Sequence, residues 1–188
     1  MEALNMYQTI ARNKTFQLSG RLKTNIGNIH FQQKQFLKAI KMYRMALDQI
    51  PVTNQDLKLH IHQNIALAFI KMGQFVEAAS NYEIIFKERP DFKTGFNLLL
   101  CYYALGDRPR MRECFIELLR IPVRLPDDDD YQSHPTDKQA NLVLEVTRDD
   151  NLRRFERKKR RVIEHCIVTA VKLIAPAIEA DFATGYEL

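Results

Sequence analysis

The chain has 188 residues, a hydrophobic fraction of 46% and a net charge of +5 at pH 7. This composition fits one folded domain or a row of stacked repeats, and it excludes an intrinsically disordered chain. Six glycines, seven prolines and no tryptophan provide little material for an all-β sandwich or barrel with many tight turns. The mildly basic charge permits an acidic partner without requiring one.

Three cysteines, Cys101, Cys114 and Cys166, lack the spacing of a metal site or a redox motif. We therefore expect them to fill helix interfaces as small apolar residues in a reducing, intracellular compartment. No apolar run approaches the roughly 20 residues of a membrane span. Residues 1–5 lack the basic and apolar regions of a secretory signal. We predict a soluble protein that does not insert into a membrane.

The sequence repeats a helical pattern across its first two thirds. In its clearest copy, Ala39 is followed by Tyr43, Ala46 and Pro51 at offsets of four, seven and twelve residues. The same offsets recur in full or in part at Ala78, Tyr82, Ile85 and Pro90, at Met111, Phe115 and Leu118, and at Ala3, Tyr7 and Ile10. Such self-similarity at a fixed spacing is typical of stacked helical repeats.

The spacing has a physical cause. A small residue in the second helix of a pair allows close approach to the first, and an aromatic residue four positions later lies on the same face. The closing proline cannot continue a helix, so it ends the unit. Gly73 and Gly106 supply turns between the paired helices, whereas the first unit has Lys34 and Gln35 there and a poorer turn signal.

This pattern resembles the tetratricopeptide repeat (TPR), a 34-residue helix–turn–helix unit. The resemblance implies an all-α fold in which helix pairs stack in a right-handed superhelix. We divide the chain into the second helix of a truncated TPR (1–14), TPRs at 18–51 and 52–90, a TPR-like repeat at 91–123, an acidic loop at 124–136, and C-terminal helices with a basic run at 137–188. The chain begins within a repeat, so we expect a piece of a longer protein.

Two features of the spacing are irregular. Ala39 and Ala78 are 39 residues apart, whereas Ala78 and Met111 are 33 apart. The surplus falls around residues 52–56, which form either a lengthened connection or an extension of the next helix. Beyond the repeats, Asp149 and Asp150 offer a cap for a helix from Leu152 to about residue 175, which we expect to break near Pro176.

Acidic and basic runs follow the repeats. Four adjacent aspartates at 127–130 lack the alternation, central glycine and distant glutamate of a calcium loop, so we predict a solvated acidic loop. Residues 153–161 place seven cations in nine positions. They form a solvated helix face, a docking surface for an acidic protein or for the acidic loop, or a nucleic-acid or nuclear-import element. Docking of an acidic partner would use Arg153, Arg154, Arg157 and Lys158.

No catalytic constellation is present in the sequence. Dinucleotide, phosphate-loop and nucleophile-elbow motifs are missing. His60 and His62 point to different sides of a helix, and His165 and Cys166 are neighbours that rarely face one another. We predict a protein that is not an enzyme, with no cofactor, no metal and no small-molecule substrate.

The TPR resemblance implies a binding groove lined by the first helix of each repeat. The inward positions that we select for partner binding are Asn25, Asn28, Asn64, Lys93, Phe96 and Asn97. Amides can bond an extended peptide and Lys93 can meet a carboxylate. TPR clamps for chaperone tails use three cations, but Thr24 and Asn97 replace two of them here.

Several segments resemble the TPR subunit of the intraflagellar-transport B complex, of the polaris type. They are residues 20–23, 41–49, 95–98, 172–176 and 185–186, and the resemblance includes the acidic loop and the basic helix. It implies a scaffold that binds other B-complex proteins in the cytoplasm, the cilium and the ciliary basal body, and that is needed to build cilia. The alternatives are a generic TPR adaptor or co-chaperone and, less favoured, a nucleic-acid-associated factor.

Overall fold

The structure, a computed structural model, describes residues 2–11, 19–122, 138–147 and 150–180. Within these ranges the regular elements are all α-helices, which confirms the predicted all-α class. They are α1 (Glu2–Ala11), α2 (Ser19–Gln32), α3 (Phe36–Leu47), α4 (Gln55–Lys71), α5 (Phe75–Glu88), α6 (Phe92–Leu105), α7 (Arg108–Leu119), α8 (Lys138–Thr147) and α9 (Asn151–Ala180).

Helices that follow one another in the chain are also neighbours in space. From α1 to α7, each helix packs against the next, so α2–α3, α4–α5 and α6–α7 form three stacked helical hairpins. The long helix α9 returns to pack against α6 and α7 at the end of this array. A hairpin cannot bury its apolar face alone, and stacking joins the faces into one continuous core.

Small residues and tyrosines hold the first two hairpins together, as the repeat pattern predicts. Ala39 and Ala78 are both completely buried, and Tyr43 and Tyr82 are among the largest buried side chains. A Cβ atom added to Gly27 of α2 would lie 2.5 Å from Cε1 of Tyr43 in α3. The missing side chain on α2 is therefore what admits the tyrosine ring from α3.

All three turns within the hairpins use the left-handed backbone conformation. Gly73 and Gly106 adopt φ values of 74° and 70°, as expected for glycine. Lys34 occupies the same place in the first hairpin with a φ of 61°. The first turn is thus built like the others although its sequence lacks glycine, because the packing of α2 on α3 imposes it.

The structure settles the irregular repeat spacing. Both alternatives contribute: seven residues, 48–54, separate α3 from α4, and α4 itself extends to 17 residues. Next to this connection, Asp56 at the start of α4 forms a 2.8 Å ion pair with Arg89 at the end of α5, which ties the two ends of the second hairpin together.

One helix boundary was predicted wrongly. Asp150 does cap α9, because its carboxylate accepts a hydrogen bond of 2.6 Å from the backbone N–H of Arg153. The helix does not break near Pro176, however, but continues through it to Ala180. Proline already has a helical φ, and the carbonyl of the exposed Lys172 that loses its hydrogen bond can bond water instead.

The buried alanines provide a test of the repeat register. Replacing Ala78 with arginine should lower the free energy of unfolding by about 3 kcal/mol or more, because the side chain overpacks the helix crossing and buries an unpaired charge. Glu77→Arg, at the exposed neighbouring position, is the matched control and should change stability by less than about 0.5 kcal/mol. Equal denaturant midpoints for the two variants would contradict the register.

The first turn provides a second test. Lys34→Gly should raise the free energy of unfolding by roughly 0.5–1 kcal/mol, because glycine adopts a positive φ without the steric cost that a side chain carries. Lys38→Gly, inside α3, should instead lower it by a similar amount. Urea denaturation of both variants would show whether the signs differ, and destabilisation by both would contradict the assigned turn.

Candidate protein-binding surface

The candidate groove consists of the six residues selected from the sequence, Asn25, Asn28, Asn64, Lys93, Phe96 and Asn97. They lie on α2, α4 and α6, the first helices of the three hairpins. Asn25, Asn64 and Asn97 occupy equivalent positions, each two residues before a buried small or aliphatic residue. The stacked hairpins therefore present an asparagine side chain at the same position of each first helix.

Two of these amides are tied into the core. The hydroxyl of Tyr43 donates a 2.8 Å hydrogen bond to Oδ1 of Asn28, and Nδ2 of Asn64 donates to the same oxygen at 3.3 Å. This cluster links α2, α3 and α4, so it joins the first hairpin to the second. Burial also raises the pKa of Tyr43 to about 12, which keeps its hydroxyl protonated and able to donate at neutral pH. Asn28 and Asn64 therefore have a structural role whatever else they bind.

A similar but incomplete arrangement lies between the second and third hairpins. Tyr82 is completely buried, and its hydroxyl has no hydrogen-bond partner within the described ranges. Burial and the nearby Cys101 thiol raise its pKa to about 12, and the neighbouring amide of Asn97 opposes part of that rise without making a hydrogen bond of normal geometry.

The remaining two groove residues differ in exposure. Lys93 is exposed at the start of α6, which allows it to meet a partner's carboxylate. Phe96 is half-buried, and it packs against an apolar cluster formed by Phe92, Leu118 and Ile163 of α9. The ring that the sequence assigned to partner binding therefore belongs in part to the chain's own core.

The basic run lies on the first three turns of α9. Arg154, Arg157 and Lys158 are exposed there, whereas Arg153 is partly buried. Further along the helix, a seam of apolar residues packs onto α6 and α7; its members are Ile163, Cys166, Ile167, Ala170, Leu173 and Ile174. The sequence showed that this stretch was apolar. It did not show what the seam packs against, because the contacting residues of α6 and α7 lie more than forty residues earlier in the chain.

A cleft of about 920 Å³ lies between α5, α6 and α7 and was missed by the sequence analysis. Its charges are balanced, with Glu83, Glu113 and Glu117 facing Lys87, Arg110 and Arg120. The Tyr102 hydroxyl spans the cleft wall and donates a 2.6 Å hydrogen bond to Glu83. Such a cleft arises from the spacing of helices in neighbouring repeats, so no local sequence motif predicts it.

The cysteines are buried, as predicted for residues that fill helix interfaces. Burial raises the pKa of Cys101 to about 11 and that of Cys114 to about 12, so both thiols stay protonated at neutral pH. Within the described ranges, no group of three histidine, cysteine, aspartate or glutamate side chains is placed to hold a metal ion. No helix in those ranges combines the length and apolar character needed to cross a membrane.

The helical hairpins, their small-residue crossings and their stacking define the class of this protein. The described part of the chain is an all-helical TPR solenoid, and residues 20–52 match the family model of the tetratricopeptide repeat. That match begins at Gly20 and covers the first complete hairpin, α2–α3.

A particular relative extends the likeness beyond the repeats. The chain is 46% identical over 186 residues to intraflagellar transport protein 88 homolog from Homo sapiens. The aligned region is 99% of this chain and 22% of that protein, so the chain spans about a fifth of its relative's length. The resemblance drawn from the sequence is thereby confirmed, and it includes α8 and α9 as well as the repeats.

The Asn28 cluster makes a testable distinction between structural and exposed amides. Asn28→Ala should lower the free energy of unfolding by about 1–2 kcal/mol, because it leaves the buried Tyr43 hydroxyl without its acceptor. Asn25→Ala, at an exposed position of the same helix, should change it by less than about 0.5 kcal/mol. A double-mutant cycle with Tyr43→Phe should give a coupling of about 1 kcal/mol, and strict additivity would contradict the cluster.

Proposed function

We propose that the chain is part of a non-catalytic scaffold, a TPR segment of an intraflagellar-transport B subunit that is needed for cilium assembly. The observation that carries this proposal is the 46% identity to intraflagellar transport protein 88 homolog over 99% of the chain. Identity that continues through α8 and α9 argues for this class of protein over an unrelated TPR adaptor, because those helices are not part of the repeat pattern.

The surface chemistry supports protein binding as the mode of action. Leu67 of α4 and Leu100 of α6 are 36% and 37% exposed. They are three residues beyond Asn64 and Asn97, so apolar side chains alternate with amides along the array. Protein interfaces combine apolar contacts with a limited number of hydrogen bonds in this way. Other proteins of the B complex, in the cytoplasm, the cilium and the basal body, are the partners we propose.

The chaperone-tail alternative finds less support in the site. A carboxylate clamp needs cations, yet Thr24 at one of its positions is buried and donates its hydroxyl to the carbonyl of Gly20. At a second clamp position, Asn97 carries no charge and neighbours Tyr82. With Lys93 as the one cation retained from that clamp, the groove is poorly suited to a terminal carboxylate.

A capture experiment tests the proposal. The 188-residue chain, immobilised, should retain purified intraflagellar-transport B subunits at physiological salt, because packed interfaces resist screening better than exposed ion pairs do. Leu67→Glu together with Leu100→Glu should weaken capture at least about tenfold. The matched control is Lys41→Glu together with Lys71→Glu, at exposed positions outside the candidate groove. Capture by a longer protein that contains this segment, but not by the chain itself, would contradict the assignment to this segment.

A further inference from the structure

Helix α9 has two parts with different environments. Its buried residues, Ile163, Cys166, Ala170 and Ile174, all fall within residues 163–174, which form the seam on α6 and α7. Residues 151–162, the extended part, are exposed or only partly buried. A helix rises about 1.5 Å per residue, so this first part is about 18 Å long.

The apolar face of the seam continues into the extended part in register. Eleven residues make just over three full helical turns, so positions eleven apart share one face. Leu152 and Phe155 are the counterparts of Ile163 and Cys166 in this sense. The buried pair is 8% and 5% exposed, while Leu152 and Phe155 are 62% and 63% exposed. Leu152 and Phe155 therefore continue an established packing face at a place where the described helices leave it uncovered.

Charge distinguishes the extended part from the seam. Residues 151–162 contain seven cations and one carboxylate, Glu156, and their net charge of +6 exceeds the +5 of the whole chain. Arg153, Arg157 and Arg160 already take part in interactions within the chain. Among the other exposed cations, Lys158 and Lys159 lie beside or within the apolar stripe, and Arg154 and Arg161 lie further round the helix.

We propose that residues 151–162 form a docking surface for an acidic amphipathic helix of a partner protein. We name this surface the α9 docking face; it comprises Leu152, Phe155 and Val162 with Lys158 and Lys159. A partner helix with apolar residues every three to four positions covers the first three, as α6 and α7 cover the seam. Carboxylates flanking that stripe meet the cations.

This surface deepens the scaffold function proposed above and rests on it, because a scaffold subunit needs surfaces that recognise its neighbours. An acidic helix fits better than nucleic acid, since phosphates neutralise the cations but leave Leu152 and Phe155 uncovered. The exposed aromatic ring within a positively charged rim is also the composition of an interface hot spot.

The direct test uses synthetic peptides and the whole 188-residue chain. One peptide is a helix of three heptads with leucine at the core positions and glutamate beside them. A second has the same composition with the leucines shuffled, so it carries the same charge without an apolar stripe. Duplex DNA is the third probe. Binding is measured by fluorescence anisotropy at low and at physiological salt.

The amphipathic peptide should bind at least about tenfold more tightly than the shuffled peptide, and the difference should persist at physiological salt. Leu152→Ser with Phe155→Ser should remove that difference. Lys158→Glu with Lys159→Glu should weaken the binding of both peptides. The matched apolar control is Val168→Ser with Val171→Ser, which changes exposed α9 residues outside the docking face and should leave binding unchanged.

Equal binding of the two peptides, or of DNA and the amphipathic peptide, would overturn the proposal, because charge alone would then explain it. Full binding by the Leu152→Ser, Phe155→Ser variant would do the same. Circular dichroism should show wild-type melting for that variant, since both side chains are exposed. If the variant still captures B-complex subunits, the scaffold function holds and the docking face fails; if the wild-type chain binds the peptide but no subunit, the docking face holds and the scaffold function fails.

Discussion

The close approach of the two helices in each hairpin is the constraint on which the rest of the structure depends. At Gly27 the α2 backbone leaves only enough space for the ring of Tyr43, and buried alanines hold the crossings at Ala39 and Ala78. A larger residue at these places forces the helices apart and opens the core. Because every hairpin also packs against the next, a local change in this distance is passed along the array.

Core packing also places the polar surface. The Tyr43 ring crosses the hairpin, and its hydroxyl reaches the side where Asn28 and Asn64 meet. Those amides are therefore oriented by a core residue before any partner arrives. Preorganised groups lose less conformational entropy on binding, which favours recognition by a rigid array.

The C-terminal helix shows how one face can serve two purposes. Its seam packs through Ile163 with Phe92 and Leu118 and so shields apolar surface of the third hairpin. Its first three turns carry the same face outward with a high positive charge. In the function we propose, the chain closes its own core with one part of this helix and uses the other part to dock a neighbour.

Features that depend on local spacing were predictable, and those that depend on distant contacts were not. The burial of Ala39 and Ala78 follows from repeated offsets, and the capping of α9 by Asp150 follows from residue type. The left-handed backbone conformation of Lys34 results from helix packing, which overrides the preference of a lysine for negative φ. Helix α9 can continue through Pro176 because solvent can reach the Lys172 carbonyl that loses its hydrogen bond.

The candidate groove also has features that could be predicted from the sequence and features that could not. Its helices and the equivalent positions of its amides could be read from the repeat pattern. The shared hydrogen bonds of Asn28 and Asn64 require two neighbouring hairpins in place. The cluster against which Phe96 packs includes Ile163, from a helix that begins more than fifty residues later. Sequence spacing within one repeat contains neither contact.

The central claim is that a rigid TPR array binds other proteins on its surface without rearranging its core. Hydrogen–deuterium exchange of the chain, alone and with purified intraflagellar-transport B subunits, tests it most directly. The account predicts slow exchange in the buried stretches of α3 to α7 in both states, with added protection on binding confined to surface-exposed segments such as residues 151–162. Unchanged exchange throughout, or large changes within the core helices, would contradict it.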